Sequence, residues 1–222
     1  MGSELHSIMG PLAVTLQVTA ASTFLAAIFG IGIGYILRRP FVGSGLLDAL
    51  LTLPMVLPPT VLGYYLITAV GSQGPLGPML ASLDISILFT RKGAVIAASI
   101  VSFPLAYRSA KSAFSSIDSE LIAIAESMKQ SSAALFFRLA LPLAWKGILA
   151  GILLAFARSV GEFGATLMVA GNIPGRTQTI SLAIYSAVES GYEGKALLLS
   201  LTASVLCIGV LLLSQRMQKD GI

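Results

Sequence analysis

Between Leu5 and Leu37 the chain carries no charged residue apart from His6 in its protonated form, and that run restricts the fold more than any motif does. A helix of about 20 apolar residues crosses the roughly 30 Å of hydrocarbon in a bilayer, so a span over 12–37 fits with residues to spare. Arg38 and Arg39 close it, and Pro40 stops the helix. Gly30 and Gly34 stand at small-xxx-small spacing, which lets two helix backbones approach closely in lipid. The rest of the chain repeats the pattern: 55% of its 222 residues are hydrophobic and 11% are charged, against about 25% in ordinary soluble domains. The chain is read as an all-α polytopic membrane bundle, one domain over 1–222. No Lys or Arg precedes the first apolar run, which is far longer than a signal-peptide core and is taken as a retained span.

Four further spans are predicted, at 46–70, 93–113, 147–170 and 196–215, giving about five. Pro54, Pro58 and Pro59 fall inside the second; they free carbonyls and bend a membrane helix, either as a packing kink or beside a translocation path. The third is bracketed by Arg91 and Lys92 at one end and by Arg108 and Lys111 at the other, where long basic side chains snorkel to an interface. Residues 177–188 are apolar but too few to span, which suggests a re-entrant or interfacial segment.

Basic residues divide unequally between the two sides. With five spans and the N-terminus outside, one side receives Arg38, Arg39, Arg108, Lys111, Lys129, Arg138, Lys146, Arg216 and Lys219, the other only Arg91, Lys92, Arg176 and Lys195. The positive-inside rule then puts the C-terminus and residues 118–147 in the cytoplasm. This dispersion at membrane boundaries explains the net charge of +4 and offers no clustered basic face for nucleic acid. Cys207 has no partner for a disulfide, and His6 has no metal-ligand neighbours, so no metal site is expected.

Arg158 and Glu162 stand four apart inside the fourth span and can pair on one helix face, which lowers the cost of charge at membrane depth. Ser159, Gly161 and Gly164 around them are small. Together with Pro58 and Pro59 these residues are the candidate translocation path or gate; a structural ion pair between helices is the competing reading.

The polar interruption at 118–147 reads as two short amphipathic helices. Ser119 to Met128 opens with an Asp118 or Ser119 cap and Glu120 in its first turn, and it carries Leu121, Ile124, Ala125 and Met128 on one side. Ser131 and Ser132 punctuate it. A second segment, 133–141, leads through Leu135, Phe136 and Leu139 to Leu141 and Pro142. Such a knob fits a groove on a soluble partner, or else lies among lipid headgroups.

The spacing of Ala125 and Lys129 with Leu141-Pro142 resembles the coupling loop of type I ABC importer permeases, whose consensus is EAA, a later Gly and a downstream Leu-Pro. LPMVLPPTVLGYYL (53–66), SFPLAYRSAKSAFSSID (102–118), LLAFARSVGEFGATLMVAGNIPG (153–175) and RTQTISLAIY (176–185) are similar to the molybdate branch of the family, with sulfate and tungstate branches as near relatives. Ala123 stands where the family has Glu, Lys129 where it has Gly, and Lys146 where a Pro is frequent. The resemblance implies a permease homodimer with two cytoplasmic ATPase subunits and a periplasmic or lipid-anchored oxyanion-binding protein. It places coupling to the ATPase on Glu120, Leu121, Ile124, Ala125, Glu126, Met128, Lys129, Leu141 and Pro142. ATP and magnesium would be used by the partner, and this chain would need no cofactor. The residues agree: the one Lys followed by Ser or Thr, Lys111-Ser112, is preceded by Ala110 where a phosphate loop requires Gly.

Membrane-embedded enzymes need a Ser with a basic partner, paired Asp residues or His ligands at membrane depth. None is expected within the spans. A passive anion channel is the remaining alternative, distinguished by transport without ATP.

Overall fold

The computed structural model describes residues 2–127 and 130–219, and every element among them is a helix. The order is α1 (Gly2–Ile36), α2 (Ser44–Val56), α3 (Pro59–Val70), α4 (Gly77–Ser82), α5 (Arg91–Ser115), α6 (Ser119–Ser127), α7 (Ser132–Leu135), a π-helical turn (Phe136–Ala140), α8 (Leu141–Val160), α9 (Gly164–Ala170), α10 (Ile180–Glu189) and α11 (Glu193–Lys219). Four helices are long and apolar enough to cross a membrane, within Ile8–Ile36, Arg91–Ser115, Ser132–Val160 and Glu193–Arg216. A fifth crossing is the bent pair α2 and α3, if the two count as one span.

The bundle is built around α5. Of its most apolar stretch 61% is buried, against 11% for α11, so α5 is the axis and α11 the periphery. α1 lies along α5 in parallel, and the contact is backbone to backbone: a Cβ on Gly30 would sit 2.8 Å from the Tyr107 amide nitrogen, and one on Gly34 2.9 Å from that of Lys111. Small-residue spacing thus does what close packing in lipid requires, because helix association there gains little from the hydrophobic effect. Gly30→Leu is expected to force the two helices apart at a cost of about 1–3 kcal/mol, read as a lower melting temperature of the detergent-solubilised protein. α8 runs antiparallel to α5, with Gly147 against Ala113 and Gly151 against Ser109.

Three expectations about helix continuity require correction. The predicted span 46–70 is two helices that meet at 108°. Leu57 is extended, Pro58 caps α3 and Pro59 occupies its first turn, so two consecutive prolines end one helix and begin the next instead of kinking a continuous one. The predicted span 147–170 stops at Val160 and resumes at Gly164. Conversely, Leu141 and Pro142 do not end a separate short helix. Residues 132–160 form one run through the π turn, in which the Leu141 amide donates to the Phe136 carbonyl. Pro142 has no N–H to donate and its ring crowds the preceding turn, a strain that the wider turn relieves. The run's 29 residues reach about 43 Å at 1.5 Å per residue, longer than the hydrocarbon is thick, so its α7 end stands clear of the membrane. Of residues 177–188, the first three precede the helix and the rest lie in α10, whose Ile180 and Leu182 are fully buried against the bundle. Thr15 of α1 accepts the Ile180 N–H at 2.7 Å, capping α10 from a helix distant in sequence.

Candidate functional site

The break between α8 and α9 is where most of the predicted gate residues meet. Gly161 ends α8, Glu162 and Phe163 leave helical geometry, and Gly164 starts α9. Pro59 of α3 presses on this break: a Cβ on Gly164 would lie 3.0 Å from the Pro59 Cβ. Ser159 meets Ser22 of α1, with hydroxyl oxygens 2.6 Å apart in a buried contact. The Val160 carbonyl, freed by the end of α8, accepts from Ser181 of α10 at 3.2 Å. Three other elements, α1, α3 and α10, therefore converge on residues 159–164. Pro58 belongs to the same corner but makes only its cap, its carbonyl accepting from Val61 and Leu62 at 2.9 and 3.3 Å.

Glu162 is 2% exposed and holds two structures together. Its Oε1 accepts the Ala165 N–H at 2.9 Å, satisfying one of the free donors of α9 and placing negative charge at the helix's positive end. Its Oε2 lies 3.0 Å from a guanidinium nitrogen of Arg158. That contact is off the line of a hydrogen bond, and Oε2 has no hydrogen-bond donor. The pair is thus ionic, with a buried carboxylate and a guanidinium whose side chain is 37% exposed. Arg158 and Glu162 pair as their spacing predicts, although the helix that would carry both ends between them.

Asp48 is a polar feature that sequence reasoning missed. It sits on α2, inside the predicted second span, where no acid was expected. It accepts from the Tyr107 hydroxyl and pairs with Lys111, both on α5. The signal was available: Asp48 is the one charged residue of the helix SGLLDALLTLPMV.

The predicted coupling residues divide. In α6, Asp118 caps the helix by accepting the Glu120 N–H at 2.8 Å, Glu120 is exposed, and Leu121 and Ile124 are 47% and 58% exposed. Ile122, not among the predicted residues, faces the bundle and is buried. Ala125 is half-buried and lines a small cavity of about 150 Å³ with Ala134 and Leu135. Glu126 lies in α6, while Met128 and Lys129 fall outside the described residues. Leu141 and Pro142 are not beside this face; Leu141 packs toward Phe114 and Ala110 at the end of α5. What links the two regions is an aromatic cluster. Phe136, in the π turn, has its ring centroid 4.7 Å from Tyr35 of α1 and 6.0 Å from Phe114 of α5.

No cluster of three or more His, Cys, Asp or Glu that could hold a metal ion occurs among the described residues. Comparison with known proteins matches this arrangement to transport permeases. The "Molybdenum transport system permease protein ModB" of Haemophilus influenzae is 40% identical over 213 residues, covering 93% of each chain. A "Probable sulfate transport system permease protein cysT" of Nephroselmis olivacea is 37% identical, over 87% of this chain and 71% of its own. Among solved structures, an inward-facing form of the MetNI methionine ABC transporter superposes with a TM-score of 0.76 at 16% identity, covering 99% of this chain and 98% of that one, a likeness of fold. The family model for the "Binding-protein-dependent transport system inner membrane component" matches residues 23–220, and the chain belongs to that family.

Proposed function

We propose that this chain is the permease subunit of an ATP-driven importer that moves molybdate inward across the cytoplasmic membrane. The observation that carries the substrate is the 40% identity to a molybdenum permease along nearly the whole of both chains. Sulfate permeases are the near alternative: the sulfate relative is 37% identical but is matched over only 71% of its length. In this reading two copies form a homodimer, an extracytoplasmic oxyanion-binding protein docks outside, and two ATPase subunits dock inside. ATP and magnesium act on the ATPase, and this chain catalyses no reaction and holds no cofactor.

The N-terminus lies outside and the C-terminus in the cytoplasm, as the basic residues favour. The parallel run of α1 and α5 and the antiparallel run of α8 suit that alternation. The exposed apolar face of α6, Leu121 and Ile124, seats on the ATPase, and Phe136 with Tyr35 and Phe114 carries its movement into α1 and α5. The corner of Pro58, Pro59, Ser159, Gly161 and Gly164, braced by Arg158 and Glu162, is the gate. A helix that is already broken there gives two rigid segments and a pivot.

The test is uptake of radiolabelled molybdate by vesicles holding the permease, its ATPase and its binding protein. Uptake is expected to need all three and ATP, with tungstate competing more strongly than sulfate. Uptake through the permease alone, without ATP, would establish a passive channel instead.

A further inference from the structure

Two cavities open on either side of one edge of α5, toward the end that bears α6. One, of about 380 Å³, lies between α5 and α2, with Asp48, Thr52 and Lys111 in its wall. The other, of about 560 Å³, lies between α5 and α8, with Ser109, Gly147 and Leu154 in its wall. Arg108 and Ser112 line both. Arg108 is exposed, although it stands seven residues, or about 10 Å, inside the end of a helix apolar enough to span. A guanidinium at that depth faces water or a polar partner, not hydrocarbon.

The polar groups of this edge are not equivalent. Lys111 is neutralised by Asp48, which also takes the Tyr107 hydroxyl. Ser115 donates to the Arg38 carbonyl at 3.0 Å and Ser116 to the Ala113 carbonyl at 2.9 Å. The side chains of Arg108, Ser109 and Ser112 have neither a hydrogen bond nor an ion pair among the described residues. The unused groups are thus one planar fork of N–H donors and two hydroxyls one helical turn or less from it. A guanidinium donates in parallel to two oxygens of a tetrahedral oxyanion, and hydroxyls complete its shell.

We propose that Arg108, with Ser109 and Ser112, forms a weak oxyanion-binding vestibule at the cytoplasmic end of the path. It deepens the importer reading and rests on it. A cation with no direct ion pair, and with the Asp48 carboxylate in the wall of the same cavity, suits an exit, because conduction needs binding favourable enough to enter and weak enough to leave. Neutralisation of Lys111 by Asp48 keeps the site from becoming a trap.

The test uses the full chain in inside-out vesicles, with Cys207→Ser as background and Ser112→Cys as the reporter for an anionic, membrane-impermeant thiol reagent. The reporter is expected to react, and sodium molybdate at about four times its dissociation constant is expected to slow labelling about fivefold, as simple competition requires. Arg108→Gln should remove that protection and Arg108→Lys retain part of it. A reporter that the reagent does not reach, or labelling unaffected by molybdate, would overturn the proposal. A lipid phosphate presents the same chemistry, so the experiment is repeated in phosphatidylcholine vesicles with and without phosphatidylglycerol. Molybdate protection independent of lipid supports the vestibule, whereas slow labelling only with phosphatidylglycerol, unmoved by molybdate, assigns Arg108 to the headgroups. These readouts need neither ATP nor partners. Lost protection beside intact ATP-driven uptake therefore overturns the vestibule alone, and absent uptake overturns the importer reading.

Discussion

Arg158→Ala is expected to cost more stability than Glu162→Gln, and the double variant is expected to recover most of what Arg158→Ala loses. The order follows from which partner is buried. Glu162 is 2% exposed, while the Arg158 side chain is 37% exposed. Removing the arginine strands an anion in the bundle, where breaking a buried pair costs about 3–5 kcal/mol, reduced here because the arginine's end reaches solvent. Neutralising the carboxylate instead leaves a cation that can hydrate. Glutamine also keeps an oxygen for the Ala165 N–H that Glu162 accepts at 2.9 Å. Glu162→Ala loses that acceptor too, adding about 1–2 kcal/mol for a vacated cap. Charge reversal of the pair is expected to fail, since an arginine at 162 is both buried and unable to accept from Ala165. Melting temperatures and ATP-driven uptake of the five variants check the order, with uptake by Arg158→Ala expected to fall at least tenfold. Purely additive losses would show that the two residues act separately.

The features legible in the sequence are those that depend on a residue and its near neighbours. The charge-free stretch before Arg38 and the spacing of Gly30 and Gly34 required only local counting, and so did the pairing of Arg158 with Glu162. The break at 161–163 escaped a hydropathy reading because Gly161, Phe163 and Gly164 leave the run as apolar as a helix would. The prolines at 58 and 59 announced a disturbance, but its size, 108°, depends on how α3 packs against α9. Pro142 misled in the opposite direction: a proline reads as a helix boundary, yet a π turn carries the helix past it. Contacts between distant segments left no local mark. The cap that Thr15 supplies to α10 and the meeting of Ser22 with Ser159 join α1 to elements far along the chain. A small hydroxyl in a long apolar run looks alike with and without such a partner.

Ile124→Asp is expected to lower ATP-driven uptake at least tenfold while leaving the melting temperature of the permease unchanged. Ile124 is 58% exposed and Leu121 47%, so an aspartate at 124 disturbs little within the chain but places a charge on the apolar face proposed to seat in the ATPase's groove. Ala125→Asp is less discriminating. Its side chain would enter the small cavity against Ala134 and Leu135, pushing α6 off α7, so lost uptake would mix misfolding with uncoupling. Ile122→Asp supplies the control, because Ile122 is 8% exposed and a charge there should lower the melting temperature itself. The remaining rival is an α6 that rests among lipid headgroups. An anionic membrane surface attracts lysine and repels aspartate, so under that rival Ile124→Lys keeps its uptake while Ile124→Asp does not. An apolar groove on an ATPase rejects both charges. Equal loss in the two variants, with continued ATP hydrolysis by the assembled complex, therefore places α6 against the motor; survival of Ile124→Lys would return it to the membrane surface and leave the site of coupling elsewhere on the cytoplasmic face.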